Sequence, residues 1–520
     1  MDKKEFQTTA ANAGVIGISA LSGAVIGFFL QLAVAYYFGA SQHTDAYFMA
    51  QSTSELLSKL LLGGSIVSVF IPLFIEQLQS QGKSQAWDMA LNIMHVTIGL
   101  FLVVLVAVGI FASPLIHVIA PGFDAQTSDL TIKLLRVLLP SFFFLFIVDI
   151  GTAMLQAVKH FAIPSLMRII APSISLLSVL VLVNSYGIYS LAIGASVGSL
   201  VQASLIIYSL GRQGFYYRFI FEPTSPTIRK LIHLVYPFII SMLVTQAAGI
   251  VYRVLVSGLP TGSLAALKFA EKITQLSTVI FLTSFISALY PLMAEKAGKK
   301  DMQGLQNSIA AATRLIFFVS LPLTIGLIWL RDPLIAFIYQ RGSFSGEAAH
   351  ATSLALLFLA LGLVTNAISA VLGYATLAMQ KTKASVAVTV ASQVVAISLF
   401  MVLTPRMGHT GLALGSSLVP LSIAALYLLY LSRFMPRIWT IFWHPTYLKT
   451  VPAAAVLALT LSLASRALGG LNASIISQGI RLLVPALLGC AVYAAIAQFW
   501  NISEMRQVTS LVRKKIGFIG

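Results

Sequence analysis

Charge is what this sequence has least of. Only 9% of its 520 residues are charged, with 16 carboxylates in all, against about 25% charged residues in an ordinary soluble domain. A water-soluble fold of this size could not clothe its surface with so few charges, so lipid must be the solvent for most of the chain. Cysteine is almost absent. Cys490 stands alone in an apolar run, which excludes an internal disulfide and a thiolate metal site. His43, His95, His117, His160, His233, His350, His409 and His444 are scattered without metal-ligand spacing. No P-loop is present, so ATP hydrolysis on this chain is not expected. No carboxylate cluster for group transfer stands out, and Asp124 and Asp129 read as solvated charges of one loop. The chain is therefore not expected to be an enzyme or to carry a cofactor.

Apolar residues make up 58% of the chain, and they come in long runs. A membrane span needs roughly 20 of them. Punctuation by Gly, Pro and charge places spans near 11–38, 44–76, 87–118, 128–157, 161–183, 188–210, 228–257, 264–295, 305–330, 348–379, 384–404, 410–432, 449–466 and 475–499. The expected fold class is an all-α integral membrane protein with about fourteen transmembrane helices. Lys3 and Lys4 precede the first run as in a signal peptide, but that run is too long for one and reads as a retained helix. The net charge of +17 does not point to nucleic acid, because the basic residues sit in short loops between apolar runs. With the N-terminus inside, the cytoplasmic segments carry twenty Lys or Arg, from Lys3 and Lys4 to Lys514 and Lys515. The outer ones carry four: Arg331, Arg341, Arg406 and Arg466. That bias predicts a multi-pass protein of the bacterial inner membrane with both termini cytoplasmic.

An internal repeat recurs at about 220 residues. Ser65-x-x-Ser68-x-x-Ile71-Pro72-Leu73-x-x-Glu76 returns as Ser284-x-x-Ser287-x-x-Tyr290-Pro291-Leu292-x-x-Glu295. Gly187-x-x-x-Leu191-Ala192-Ile193-Gly194-Ala195-Ser196 returns as Gly408-x-x-x-Leu412-Ala413-Leu414-Gly415-Ser416-Ser417. Six spans per half keep equivalent helices in the same orientation, which predicts two parallel repeats. The expected organisation is an N-terminal six-helix lobe (1–210), an interfacial linker (211–227) and a C-terminal six-helix lobe (228–432). A second linker (433–448), two further helices (449–500) and a cytoplasmic basic tail (501–520) follow. Both linkers mix Arg with aromatic residues and read either as segments lying at the membrane interface or as plain connections.

The few charges inside spans carry the chemistry. Lys59 lies mid-span, about 15 residues from either end or roughly 22 Å from water at the helical rise. Lys268 and Lys272 stand four apart on one face of the eighth span, and Arg253 falls late in the seventh. A charge near the bilayer centre costs at least about 2.5–3.5 kcal/mol on insertion scales, so such groups face a wet cavity or an ion partner. A cavity lined by cations is an anion site, suited to phosphate or pyrophosphate. The bland readings stay open beside it: Glu271 can pair with either lysine, and Arg253 can reach the outer headgroups. Asp149 and Arg168 sit at similar depth on consecutive spans and are expected to form a structural ion pair.

Further motifs carry a resemblance. Gly39-Ala40-Ser41 with Thr44-Asp45-Ala46-Tyr47-Phe48, then Ala120-Pro121-Gly122-Phe123, Leu134-Leu135-Arg136 with Pro140, and His160-Phe161-Ala162-Ile163-Pro164-Ser165 are similar to segments of the MurJ/MviN family. So is Tyr339-Gln340-Arg341-Gly342-Ser343-Phe344. The resemblance implies membership of the multidrug/oligosaccharidyl-lipid/polysaccharide exporter superfamily, with two six-helix lobes, two extra helices forming a lipid-tail groove, and alternating access. It implies an undecaprenyl-pyrophosphate-linked glycan as substrate, lipid II in the best-known members. Residue by residue, it adds Asp45, Ser58, Glu271 and Gln275 to Lys59, Lys268, Lys272 and Arg253 as candidate substrate contacts. The chain departs from the family in its first helix, where Ala24, Leu30 and Gln31 replace charged positions.

The function these readings predict is a lipid-linked glycan flippase, lipid II being the first-ranked cargo. Its partners are that substrate and membrane lipid, with coupling to the membrane potential or to an ion, and no nucleic acid. The alternatives are a flippase for O-antigen or exopolysaccharide repeats, a drug/cation antiporter, which would want a carboxylate in its cavity, and a non-transporting membrane scaffold.

Overall fold

A computed structural model describes residues 3–62, 65–279, 284–470 and 474–506. The described chain is helical from end to end. The helices of the first half are α1 (Lys3–Phe38), α2 (Gln42–Leu62), α3 (Ser65–Gln81), α4 (Lys83–Ile110), α5 (Ala112–Ile119), α6 (Ala125–Ala157), α7 (Ala162–Tyr186), α8 (Tyr189–Arg212) and α9 (Pro226–Ser257). Those of the second are α10 (Ser263–Thr278), α11 (Ser284–Gly298), α12 (Met302–Trp329), α13 (Arg331–Tyr339), α14 (Gly346–Ala378), α15 (Thr382–Met407) and α16 (His409–Leu431). A 3-10 turn (Ile438–Phe442), α17 (Pro445–Ala467) and α18 (Ile475–Phe499) complete the chain. Residues 507–520 of the expected basic tail lie outside the described residues.

Among the described residues, eleven helices are long and apolar enough to cross a membrane. The three remaining expected spans, 44–76, 228–257 and 264–295, fall on α2 with α3, on α9, and on α10 with α11. The apolar character of α2 and α10 is diluted by Glu55, Lys59, Lys268, Glu271 and Lys272, while the described part of α9 includes a shorter apolar stretch, Met242–Ser257. Among the described helices, the two least apolar, α2 and α10, carry Lys59, Lys268, Glu271 and Lys272.

Side-chain chemistry follows the apolar solvent. Leu100, Val103, Val106 and Ile110 of α4 are exposed, as lipid-facing residues are. Thr131 and Thr352, both buried, return their hydroxyl hydrogens to the preceding turn, Thr131 Oγ1 to the Thr127 carbonyl at 2.7 Å and Thr352 Oγ1 to Ala348 at 2.7 Å. No water is needed to satisfy them. Helices approach closely at small residues: a Cβ at Gly194 would lie 2.8 Å from Ser175 Cα, and one at Gly362 would lie 2.8 Å from Ser417 Cα.

The repeat is legible in the backbone. Asp124 caps α6 by accepting from Thr127 N, and Ser345 caps α14 by accepting from Ala348 N. Lys159 and Gln380 take positive φ of 62° and 58° at matching turns, and Gly187 and Gly408 take 52° and 61°. Ser196 Oγ of α8 donates to the Val137 carbonyl of α6 at 3.1 Å. Ser417 Oγ of α16 donates to the Phe358 carbonyl of α14 at 2.5 Å. Pro114 and Pro333 explain where α4 and α12 stop. Each lacks an N–H for the carbonyl four residues back, Ile110 or Trp329, so the helix ends there and a short new one starts. The span expected at 87–118 is accordingly two helices, α4 and α5.

The chain forms two compact units, Met1–Ala265 and Ala266–Gly520. Within the first, α7 packs between α1 and α8, α6 packs on α8 and α2, and α9 lies against α2, α3 and α5. The linker ahead of α9 is strapped to α4. Asn92 accepts from Glu222 N at 2.7 Å and donates to Ser225 Oγ at 3.0 Å. His95 stands 2.9 Å from the Ile220 carbonyl and 3.2 Å from the Tyr217 hydroxyl. Tyr216, Tyr217 and Phe219 remain exposed, as aromatic rings at a membrane interface do. Within the second unit, α14 packs on α16 and α12, and the α17–α18 pair joins it through α12 and α13.

Candidate functional site

Asp45 opens the site and occupies an unexpected place in it. It is 3% exposed. Its Oδ2 accepts from Gly262 N at 2.6 Å, and its Oδ1 accepts from Ala265 N at 2.8 Å. A helix start leaves four N–H groups without partners. Asp45 satisfies the first turn of α10 from a position 217 residues earlier in the chain, and its charge suits the positive helix end. Gly262 must be glycine there: its φ is +87° and a Cβ would lie 2.7 Å from the Ala40 carbonyl oxygen. The carboxylate expected to touch substrate is therefore committed to the backbone.

Along α2 a polar stripe continues from Gln51 and Ser52 to Glu55 and Lys59, one helical turn at a time. Gln51 Nε2 donates to Glu55 Oε1 at 3.2 Å. Arg253 of α9 is half-buried and turned onto this stripe. Its Nε donates to Ser52 Oγ at 3.1 Å and its Nη2 to the Ser52 carbonyl at 2.7 Å. One turn away, Gln246 donates to the Leu56 carbonyl at 3.1 Å. Arg253 thus fastens α9 to α2. Lys59 is exposed and sits in the last turn of α2. Gly63 and Gly64, between α2 and α3, lie outside the described residues. The side chain of Ser58 lies outside them too.

On α10, Lys268 and Glu271 form an ion pair at 2.8 Å, the local pairing that spacing allowed. Glu271 and Gln275 come together in a cleft of about 480 Å³, with Thr274 and Thr278 of α10, Asn366 of α14, and Ser416 and Ser417 of α16. Lys272 is half-buried on the neighbouring face of α10 and does not line that cleft. Beside an aliphatic wall of Val279, Leu359, Leu363 and Pro420, the cleft presents amides and hydroxyls with one carboxylate, a set that recognises polar, uncharged groups.

Asp149 and Arg168 do not form the expected pair. Both side chains are exposed, and no ion pair joins them among the described residues. The reason is topological. Although consecutive, α6 and α7 are held apart by α8, and α7 instead brings its backbone at Arg168 against α1, where a Cβ on Gly23 would lie 2.6 Å from the Arg168 carbonyl oxygen. Among the described residues, a buried ion pair lies elsewhere, between Arg314 of α12 and Glu504 after α18, at 3.1 Å. Sequence reasoning missed that pair, together with Glu55, Asn366 and the cleft hydroxyls. Only Glu55 left a signal, its four-residue spacing from Lys59.

An all-helical bundle, apolar outside, whose ionisable groups are gathered on a few helices beside polar clefts, is a membrane transporter by fold. The model of the family "Lipid II flippase MurJ" matches residues 34–484. A "Probable lipid II flippase MurJ" of Bdellovibrio bacteriovorus is 25% identical over 97% of both chains. A solved structure described as "Lipid II flippase MurJ, inward closed conformation" aligns with a TM-score of 0.79 at 22% identity, covering 93% of this chain and 98% of the other. An inward-facing multidrug resistance MATE family transporter of the MOP superfamily aligns with a TM-score of 0.66 at 18% identity, covering 82% and 98%. The chain belongs to the lipid II flippase MurJ family.

Proposed function

We propose that this chain moves an undecaprenyl-pyrophosphate-linked glycan precursor, lipid II first among them, from the cytoplasmic to the outer leaflet by alternating access. The observation that carries the reading is the family match across residues 34–484. The work is translocation: no covalent bond is made or broken, and no cofactor takes part. Both termini face the cytoplasm, in keeping with the distribution of Lys and Arg over the loops.

In this mechanism Lys59 and Lys272 hold the pyrophosphate. As ammonium groups they act as point charges that need no fixed geometry. Lys268, shared with Glu271, adds field without a dedicated contact. Glu271 and Gln275, with Asn366 and the neighbouring hydroxyls, offer the glycan hydrogen bonds in the cleft on α10. Arg253 positions α9 on α2, and Asp45 positions the start of α10. The six-helix lobes rock to change access, while the polyprenyl tail stays in lipid near α17 and α18. A negative-inside potential drives the anion outward, at about 2.3 kcal/mol per charge per 100 mV.

The test is transport of defined lipid-linked glycans by the purified chain in liposomes. Lipid II should cross in preference to a lipid-linked polysaccharide repeat. Transport of the latter alone would move the chain to the alternative reading, an O-antigen or exopolysaccharide flippase.

A further inference from the structure

The second unit holds another cleft, of about 530 Å³, where the turn between α13 and α14 meets the end of α17 and the start of α18. Its volume falls in the range of small-molecule sites, about 300–1,000 Å³. Among apolar neighbours such as Pro333 and Ala336, its lining carries both signs of charge: Asp332 from α13, His350 and Ser353 from α14, and Gln478 and Arg481 from α18, with Gln340 closing α13.

These groups are already oriented. The Ser353 hydroxyl donates to Asp332 Oδ1, and Arg481 Nη2 donates to the Gly469 carbonyl at 2.9 Å. The Asp332 side chain is nevertheless 63% exposed, and Arg331 approaches its other oxygen only at 3.6 Å, so its carboxylate keeps acceptor capacity toward the cleft. The N-terminal turn of α14 opens on the same space at Gly346 and adds partial positive charge.

Position narrows the ligand. α14 and α18 begin here and α17 ends here, and each is long and apolar enough to cross a membrane. The cleft therefore lies at the membrane–water boundary, the level of lipid headgroups. A simple anion would be repelled by Asp332, and a simple cation by Arg481. A ligand with both charges satisfies both walls.

We propose that this cleft binds a zwitterionic aminophosphate headgroup, that of a phosphatidylethanolamine-type lipid, with the phosphate on Arg481 and the ammonium on Asp332. The site is separate from the cleft on α10 and does not depend on which cargo the chain carries.

Native mass spectrometry of the full chain in detergent, titrated with phosphatidylethanolamine or phosphatidylglycerol, tests it. One phosphatidylethanolamine should bind at least tenfold more tightly than phosphatidylglycerol, which lacks the ammonium. Arg481→Gln and Asp332→Asn should each weaken it about tenfold, and Arg481→Lys should restore most of the loss. Free phosphoethanolamine should compete only weakly, since a lipid adds its chains to the contact; competition equal to that of the lipid would overturn the lipid as ligand. Unchanged affinity in both charge-removing variants, or equal affinity for the two lipids, would overturn the site. Should Arg481→Gln fail to fold, Gln478→Glu, which sets a like charge against the phosphate, reads the same contact.

Discussion

Arg314 and Glu504 meet across 190 residues of chain, Nε donating to Oε1 at 3.1 Å, with Glu504 only 2% exposed. Thr446 Oγ1 and Ser503 Oγ donate to the other carboxylate oxygen at 2.9 and 2.8 Å. The cluster ties α12 to the start of α17 and to the segment after α18, the two polar ends of the additional helix pair. Burial pushes the Glu504 carboxyl up, but hydrogen bonds from Ser503, Thr446 and Arg314 outweigh it and hold the group below its usual range. A carboxyl held low in the folded state stabilises above its unfolded pKa, and that contribution is lost as pH falls through the folded value. Glu504→Ala should therefore cost about 1–3 kcal/mol, the penalty for leaving buried donors unmatched. Its unfolding temperature in detergent should also lose sensitivity to acid relative to the parent chain. An unchanged acid profile would show that the pair does not couple to folding.

Asp45 yields a different prediction because its partners are backbone groups. Asp45→Ala strips the first turn of α10 of its cap and should cost about 0.5–2 kcal/mol. Asp45→Asn, which keeps one acceptor oxygen, should cost less. Gly262→Ala attacks the same junction by sterics, through a positive φ and the Ala40 carbonyl, and should destabilise by at least about 1 kcal/mol. Thermal unfolding of the three variants ranks them, and Asp45→Asn as damaging as Asp45→Ala would refute the capping role.

Lys272 separates cargo chemistry from architecture. It is half-buried on α10 and distinct from the ion-paired Lys268. Lys272→Ala should abolish flipping in liposomes while leaving a folded, monodisperse protein. Lys268→Ala should reduce transport by much less, since its charge is already shared with Glu271. Equal loss in the two variants would argue for a general electrostatic effect in place of a phosphate contact.

How much of this was legible beforehand divides by distance in sequence. The helical character and the repeat were readable because each depends on local composition or on a motif seen twice. Ser196 and Ser417, picked out as sequence echoes, make equivalent hydrogen bonds to α6 and α14. The site was readable only where pairing is local, as for Lys268 and Glu271. Asp45 on Gly262, Arg253 on Ser52 and Arg314 on Glu504 are set by which helices pack together, and no periodicity carries that information. The missed Asp149–Arg168 pairing makes the same point from the other side. Equal depth on consecutive helices does not bring side chains together when a third helix lies between their axes.

Orientation in the membrane can be read with the chain's own single thiol removed. Cys490 is exposed on α18, so Cys490→Ala exchanges one small apolar-tolerated side chain for another and should leave folding intact. Single cysteines can then be placed at Gln213, beside the basic turn that follows α8, and at Ser343, in the turn between α13 and α14. The excess of Lys and Arg predicts that the first faces the cytoplasm and the second faces outward. A membrane-impermeant maleimide added to intact cells should label the cysteine at 343 and spare that at 213, and permeabilisation should expose both. Labelling of 213 in intact cells with 343 protected would invert the topology. The potential would still act outward on a pyrophosphate that starts inside, at about 2.3 kcal/mol per charge per 100 mV, so only the assignment of faces would change.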